Sequence, residues 1–233
     1  MTRSINAYRR SDHGFHFHNL RLGVGKWSVY DHDIRVPMLV SGPGIPASST
    51  LNDFVGSHAD LAPTWLALAG LPRAPEMDGS PLLHALIRQP DAPALPPVTR
   101  QRLLEAESAA AGELPKMAFV EYHGLGNVPP SYVDRETTPN IRLMDCFNNT
   151  YRALRFVGHA KYGDLLFAEF GSDFLFQGPL AMTEVYNCSI DPWNTKNLLA
   201  DGSFSPDEVA ELHELLVGLW GCKGAACARF FNS

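Results

Sequence analysis

The sequence has no apolar run approaching the roughly 18 residues that a membrane-crossing helix requires. Its opening, MTRSINAYRR, lacks the apolar core of a signal peptide. Taken alone, those two absences point to the cytosol. Basic runs are missing as well: 19 Lys and Arg are scattered among 25 Asp and Glu, for a net charge of −6. No electrostatic footprint for nucleic acid exists, and that partner class is excluded. Cysteine is scarce, with four residues, yet the number is even and Cys222 and Cys227 form a close pair. Asn148-Asn149-Thr150 and Asn187-Cys188-Ser189 are N-glycosylation sequons. Together these favour an extracytoplasmic origin over the cytosol. What is plentiful is core-forming material: 45% hydrophobic and 10% aromatic residues in 233 are the balance of a folded protein with one domain or two small ones.

The first patterned segment begins near Gly14. Val36 to Val40 reads as a short buried strand that ends in the turn signal Ser41-Gly42-Pro43-Gly44. Asp60 is the expected N-cap of a helix in which Leu61, Trp65 and Leu68 fall at helical spacing toward the core, with Gly70 closing it. From Gln89 to about Pro115 the composition turns to Pro, Ala, Glu and Arg, which predicts an exposed linker carrying a short polar helix. Beyond it, Met117 to Tyr122, Tyr151 to Val157, Asp164 to Phe170 and Met182 to Tyr186 predict an antiparallel sheet. Ser205 and Glu208 then form a capping box with Pro206 at the first helical position. Val209, Leu212, Leu215, Leu216 and Leu219 supply the buried stripe, and Gly221 ends the helix.

Chemistry concentrates in Ser11 to Pro37, SDHGFHFHNLRLGVGKWSVYDHDIRVP, where an acid and an imidazole sit side by side before a glycine. Asp12 and His13 could both reach one cation, although such a pair is more often a solvated turn. Arg35 is expected to form an ion pair with Asp31 or Asp33.

This stretch resembles the metal-binding loop of the sulfatases of the alkaline-phosphatase superfamily, most closely the N-acetylglucosamine-6-sulfatase and algal arylsulfatase branch. The residues that carry the resemblance are Ser11-Asp12-His13-Gly14-Phe15-His16, Gly25-Lys26, Tyr30, and Asp33-Ile34-Arg35-Val36-Pro37 leading to Gly42-Pro43-Gly44-Ile45. Asp60 to Thr64, Met77-Asp78-Gly79, Asn148 to Tyr151, Asp191-Pro192 and the closing Cys-x4-Cys continue it. The resemblance implies that Asp12 and His13 help coordinate a divalent cation, calcium in most sulfatases, although an imidazole suits zinc or manganese better. It implies that Lys26 contacts a sulfate, with His16 lining the pocket; where the closest relatives have a glycine and a further histidine, this chain has His18 and Leu20. The implied substrate is a sulfated sugar or an aryl sulfate, the implied location secreted, extracellular or lysosomal. The implied fold is α/β: the C-terminal part of an alkaline-phosphatase-like sandwich over residues 1–90, a linker over 91–116, and a small antiparallel sheet with a helix over 117–233. Four cysteines allow three pairings, and Cys222 with Cys227 is the favoured one, worth about 2 kcal/mol by the chain-entropy account; the state of Cys146 and Cys188 stays open.

The family mechanism uses a formylglycine made from a Cys-x-Pro-Ser-Arg segment, and no cysteine here is followed by Pro two residues on. Ile5 to Arg10 is also too polar for the apolar central strand that precedes the motif in the family. The expectation is a truncated product or partial gene model that joins the family sequence near Ser11 and has no turnover of its own. Two alternatives stand beside sulfate-ester hydrolysis: a phosphodiester or phosphonate hydrolase using the same Asp12 and His13, and a non-catalytic remnant.

Overall fold

The computed structural model describes residues 7–22, 25–42, 45–52, 54–82, 85, 101, 115–124, 149–227 and 230. Asn148, Cys146 and most of the expected 91–116 linker, including its polar helix, lie outside the described residues.

The organising element is a four-stranded antiparallel meander, β3 (Met117–Tyr122), β4 (Tyr151–Phe156), β5 (Leu165–Gly171) and β6 (Leu180–Asn187), joined in that order. All four strands lie within a residue or two of the positions predicted from their β-branched and aromatic content. Every residue of β4 is buried, which means that both faces of the sheet are covered. Alternation along each strand divides the core accordingly. Leu154, Phe156, Leu165, Phe167 and Val185 face α3 (Pro206–Gly221) and pack on Leu212, Leu216 and Leu219. Tyr151, Ala153, Leu166, Ala168, Tyr186 and Cys188 form the opposite face and pack on Val29, with Tyr30 and Ile34 at the margin. A segment from the first fifth of the chain thus lies on the sheet as a helix would.

The α3 helix forms where its local signals predict. Ser205 Oγ accepts from the Glu208 N–H at 3.2 Å while Glu208 returns its carboxylate to the Ser205 N–H at 3.0 Å. Its polar side carries one deep contact: Glu169, 1% exposed on β5, accepts from Arg152 at 2.8 Å and meets His213 Nδ1 at 2.5 Å. The Arg152 guanidinium lies 4.5 and 4.6 Å from the Phe176 and Trp220 rings, so a buried charge is enclosed by acid and π faces. Past the helix, Cys222 and Cys227 are joined across a 3₁₀ turn with Cα atoms 5.2 Å apart.

Three expectations for the first hundred residues are corrected. The strand expected as buried over Val36 to Val40 is β2 (Met38–Ser41), mostly exposed, and it pairs antiparallel with β1 (Ala7–Arg10). The polar Ala7–Arg10 stretch is therefore a strand after all, suited to a two-stranded ribbon rather than to the middle of a large sheet. Helix α2 (Leu61–Leu68) forms, and Gly70, at φ 72°, closes it as expected. Its cap lies elsewhere, however. Asp60 has helical dihedrals and no side-chain bond into α2; Ser57 caps the preceding turn, with Asp60 as the acid of the box, bonded to Ser57 N at 2.7 Å and to Ser80 N at 2.8 Å. Trp65 is 52% exposed, because the buried side of α2 is Leu61, Pro63, Thr64 and Ala67 and position 65 turns away from it.

Candidate functional site

The loop from Ser11 to Tyr30 is fixed to the rest of the chain at both ends. Gly14 donates its N–H to the Asp33 carbonyl at 2.7 Å, and a Cβ on Gly14 would stand 2.2 Å from the His32 carbonyl oxygen. Only glycine allows that approach to α1 (Asp31–Ile34), a single helical turn. His16 and Gly25 exchange backbone bonds at 2.8 and 3.2 Å, which brings Lys26 back beside His13. The Trp27 and Ser28 carbonyls then accept from Asn149 Nδ2 at 2.5 Å and Tyr151 Oη at 3.1 Å. The start of β4 therefore holds the strip of backbone that follows Lys26.

Three of the residues singled out from the sequence meet in space. His13 presents Nδ1 to its neighbour's carbonyl, Gly14 O, at 2.8 Å, so that nitrogen carries the ring proton and Nε2 carries the lone pair. That lone pair lies 2.5 Å from Lys26 Nζ and 3.3 Å from Asp12 Oδ2. A carboxylate, an imidazole nitrogen and an ammonium thus converge, with Asp12 and Lys26 exposed and His13 half-buried. An oxygen and an unprotonated nitrogen aimed at one point fit a divalent cation as two of its ligands. His16 stands apart from them. It is 5% exposed and its Nδ1 lies 2.7 Å from Asp33 Oδ1, which leaves Nε2 as its second polar atom.

Sequence reasoning missed most of what supports this loop. Arg35 was expected to pair with Asp31 or Asp33, and it is exposed. Instead Asp31 receives a two-pronged contact from Arg155, Nε to Oδ1 at 2.7 Å and Nη2 to Oδ2 at 2.9 Å, and its N–H donates to Asn194 Oδ1 at 3.0 Å. Asp33 is taken by His16, by the Ser28 N–H at 2.9 Å and by Ser28 Oγ at 2.6 Å. The acid-histidine-acid triplet Asp31-His32-Asp33 was a visible signal of a polar cluster; its partners, more than a hundred residues away for Asp31, were not.

Burial sets the electrostatics behind the loop. His32 is driven below its ordinary pKa chiefly by desolvation, partly offset by Asp33. Burial pushes the Cys188 thiol up to about 11, against the opposing effect of the hydrogen bond it receives from Asn194 Nδ2. Asn187, of the second sequon, is half-buried and spends Oδ1 on the Ser189 N–H at 3.1 Å. Glu184 on β6 accepts from Tyr30 Oη at 3.3 Å but is still raised above the usual carboxylate range by desolvation. A carboxyl whose folded pKa exceeds its unfolded one favours folding below the unfolded value and loses that contribution as pH rises through the folded value. Glu184→Gln is accordingly expected to raise the melting temperature at pH 7 and to leave it unchanged at pH 4. An equal shift at both pH values would show that the charge is not the cause.

The sheet carries the Pro206–Gly221 helix on one face and the segment around Val29 on the other, with the Asp12, His13 and Lys26 loop leading into that segment. Residues 8–71 match the sulfatase family model. The human (Homo sapiens) N-acetylglucosamine-6-sulfatase is 30% identical over 225 residues, which cover 93% of this chain and 35% of that protein. The arylsulfatase of Chlamydomonas reinhardtii is 30% identical over 227 residues, 94% of this chain and 30% of that protein. Among solved structures, BT4656 in complex with its substrate D-glucosamine-2-N,6-O-disulfate superposes with a TM-score of 0.57 at 19% identity, covering 91% of this chain and 33% of that one. That likeness speaks for the fold. The chain spans about a third of the length of the curated relatives it matches.

Proposed function

We propose that the chain is part of a sulfuric ester hydrolase whose Asp12, His13 and Lys26 serve the sulfate end of a sulfated sugar. The observation that carries this reading is the convergence of Lys26 Nζ and Asp12 Oδ2 on His13 Nε2. A divalent cation bound there would stabilise charge on the ester oxygens as the bond to sulfur breaks. Asp12 and His13 would hold it; calcium is the family's usual ion, and the imidazole tolerates zinc or manganese. With His13 Nε2 given to a cation, Lys26 would be released from it and its three N–H donors left for the anion. His16 would take part through Nε2, oriented by Asp33. A sugar sulfate is preferred to an aryl sulfate because the solved neighbour binds a disulfated glucosamine. None of the four cysteines stands in a Cys-x-Pro-Ser-Arg segment, so on this reading the formylglycine of the family would be supplied from outside these 233 residues.

Extracytoplasmic residence goes with this reading. Asn148 and Asn187 would carry glycans, and the Cys222–Cys227 link would persist in an oxidising compartment. On this reading the chain would divide into residues 1–90, a 91–116 linker and 117–233, with Val29, Tyr30 and Ile34 of the first part packed on the sheet of the last.

Calorimetric titration with glucosamine 6-sulfate, with and without a divalent cation, tests the assignment. Cation-dependent binding is expected in the wild type, lost in Asp12→Ala and weakened roughly 10-fold in Lys26→Ala, the scale of one charge-assisted contact. Equal binding in all three would overturn the assignment. Tighter binding of the 6-phosphate would favour phosphoryl chemistry instead.

A further inference from the structure

Apart from the Asp12–His13 pair, three further side chains form a cluster of their own. His16 is 5% and Asp33 4% exposed, and His32 packs edge-on against His16 with ring centroids 5.5 Å apart. Each contributes a ligand atom, and these atoms lie within 4.8 Å of one another. We propose that His16, His32 and Asp33 form a buried site for a zinc-type divalent cation, distinct from the Asp12–His13 pair.

Three observations carry it. The first is spacing. Ligands about 2.0–2.1 Å from a tetrahedral zinc stand about 3.3 Å from each other. His16 Nδ1 and His32 Nε2 lie 2.7 and 3.8 Å from the same oxygen, Asp33 Oδ1, on either side of that value. Shifts of about 0.6 and 0.5 Å bring these two distances to it. The second is an unmet need. His32 Nε2 is buried with no hydrogen-bond partner among the described residues, a state that disfavours the folded chain unless another ligand meets it. A hydrogen bond between His16 and Asp33 accounts for those two residues and leaves His32 unexplained; a shared ion accounts for all three. The third is the support behind the ligands. Asp33 Oδ2 is held by the Ser28 N–H and Oγ, and the Asp33 carbonyl by the Gly14 N–H, so Oδ1 is oriented by groups that need not move.

The donor chemistry selects the ion. Two imidazoles and one carboxylate favour zinc over calcium, which takes six or more oxygens. His16 can offer Nδ1 by moving its ring proton to Nε2, with no net change of charge. Three protein ligands leave a fourth position for water. An ion here would fasten the loop bearing His16 to α1, fixing from behind the segment that carries Asp12 and His13. The proposal stands independently of the sulfatase reading.

The purified chain, stripped by chelator, is titrated with zinc chloride in an Asp12→Ala/His13→Ala background so that the exposed pair cannot contribute. One equivalent is expected to bind. Adding Ser28→Ala should weaken it about 10-fold, the scale of a lost supporting hydrogen bond; adding His32→Phe, with unchanged circular dichroism, should abolish it. No binding in the background variant, or one equivalent retained in His32→Phe, overturns the proposal. Should His32→Phe not fold, cobalt loaded into the background variant decides: an intense tetrahedral visible spectrum supports the site, and a weak octahedral one rejects it. Loss of zinc in these variants leaves sulfate binding by Lys26 to be judged on its own.

Discussion

Arg155→Met is expected to destabilise the chain by about 3–5 kcal/mol, the scale of stranding one partner of a buried ion pair. In a domain of this size that corresponds to roughly 10 °C in melting temperature. The cause is the two-pronged contact between Arg155 and Asp31: with the guanidinium gone, a carboxylate 8% exposed keeps only its solvation by neighbours. The effect should be uneven in space. Amides of 25–34 should exchange with solvent much faster in the variant, while β5 and α3 keep their order of protection. A double variant, Arg155→Met with Asp31→Leu, should recover most of the loss, because an apolar pair of similar volume avoids burying a charge. Thermal melts of the three proteins check this, and a single variant within about 1 kcal/mol of wild type would show that the pair does not hold the loop.

The second large effect belongs to the other face of the sheet. Phe167 has no exposed surface and sits at the centre of the cluster made with Leu154, Phe156, Leu212 and Leu216. Phe167→Ala should cost about 3–5 kcal/mol through lost burial and the cavity left behind. Trp65→Ala, a larger deletion, should stay within about 0.5 kcal/mol, because that ring is half in water. Urea melts compare the two; a Trp65 effect equal to that of Phe167 would mean that residues outside the described set cover α2.

These two cases mark where the sequence could and could not be read. Phe167 lies in a strand that announces itself by composition, and α3 carries its own capping box, so both follow from residues a few positions apart. Trp65 was misplaced because a hydrophobic pattern over eight residues does not say which side of a short helix meets the core; Leu61, Thr64 and Ala67 settled that through contacts made elsewhere. Asp60 was read as a cap and serves one, but the residue it completes is Ser57, three positions earlier. In the loop, Asp12, His13 and Lys26 were legible as types and their meeting as an expectation of the family. Asp33 was not. Proximity along the chain suggested Arg35, while its bonds go to His16 and Ser28, and those of Asp31 go to Arg155 and Asn194.

The distances along the chain behind those bonds have a temporal side. Asn149 reaches back 122 residues to the Trp27 carbonyl, Tyr151 123 to Ser28, Arg155 124 to Asp31, Glu184 154 to Tyr30 and Asn194 163 to Asp31. Contacts of such separation close only after the intervening loop entropy has been met, so they form late and slow the folding of chains that depend on them. During synthesis the Lys26 loop emerges before β4, β5 and β6, the strands against which its neighbouring residues come to rest. The segment richest in chemistry therefore completes its contacts late, and a nascent chain stopped short of Asn194 would still lack the bond that Asn194 Oδ1 accepts from the Asp31 N–H.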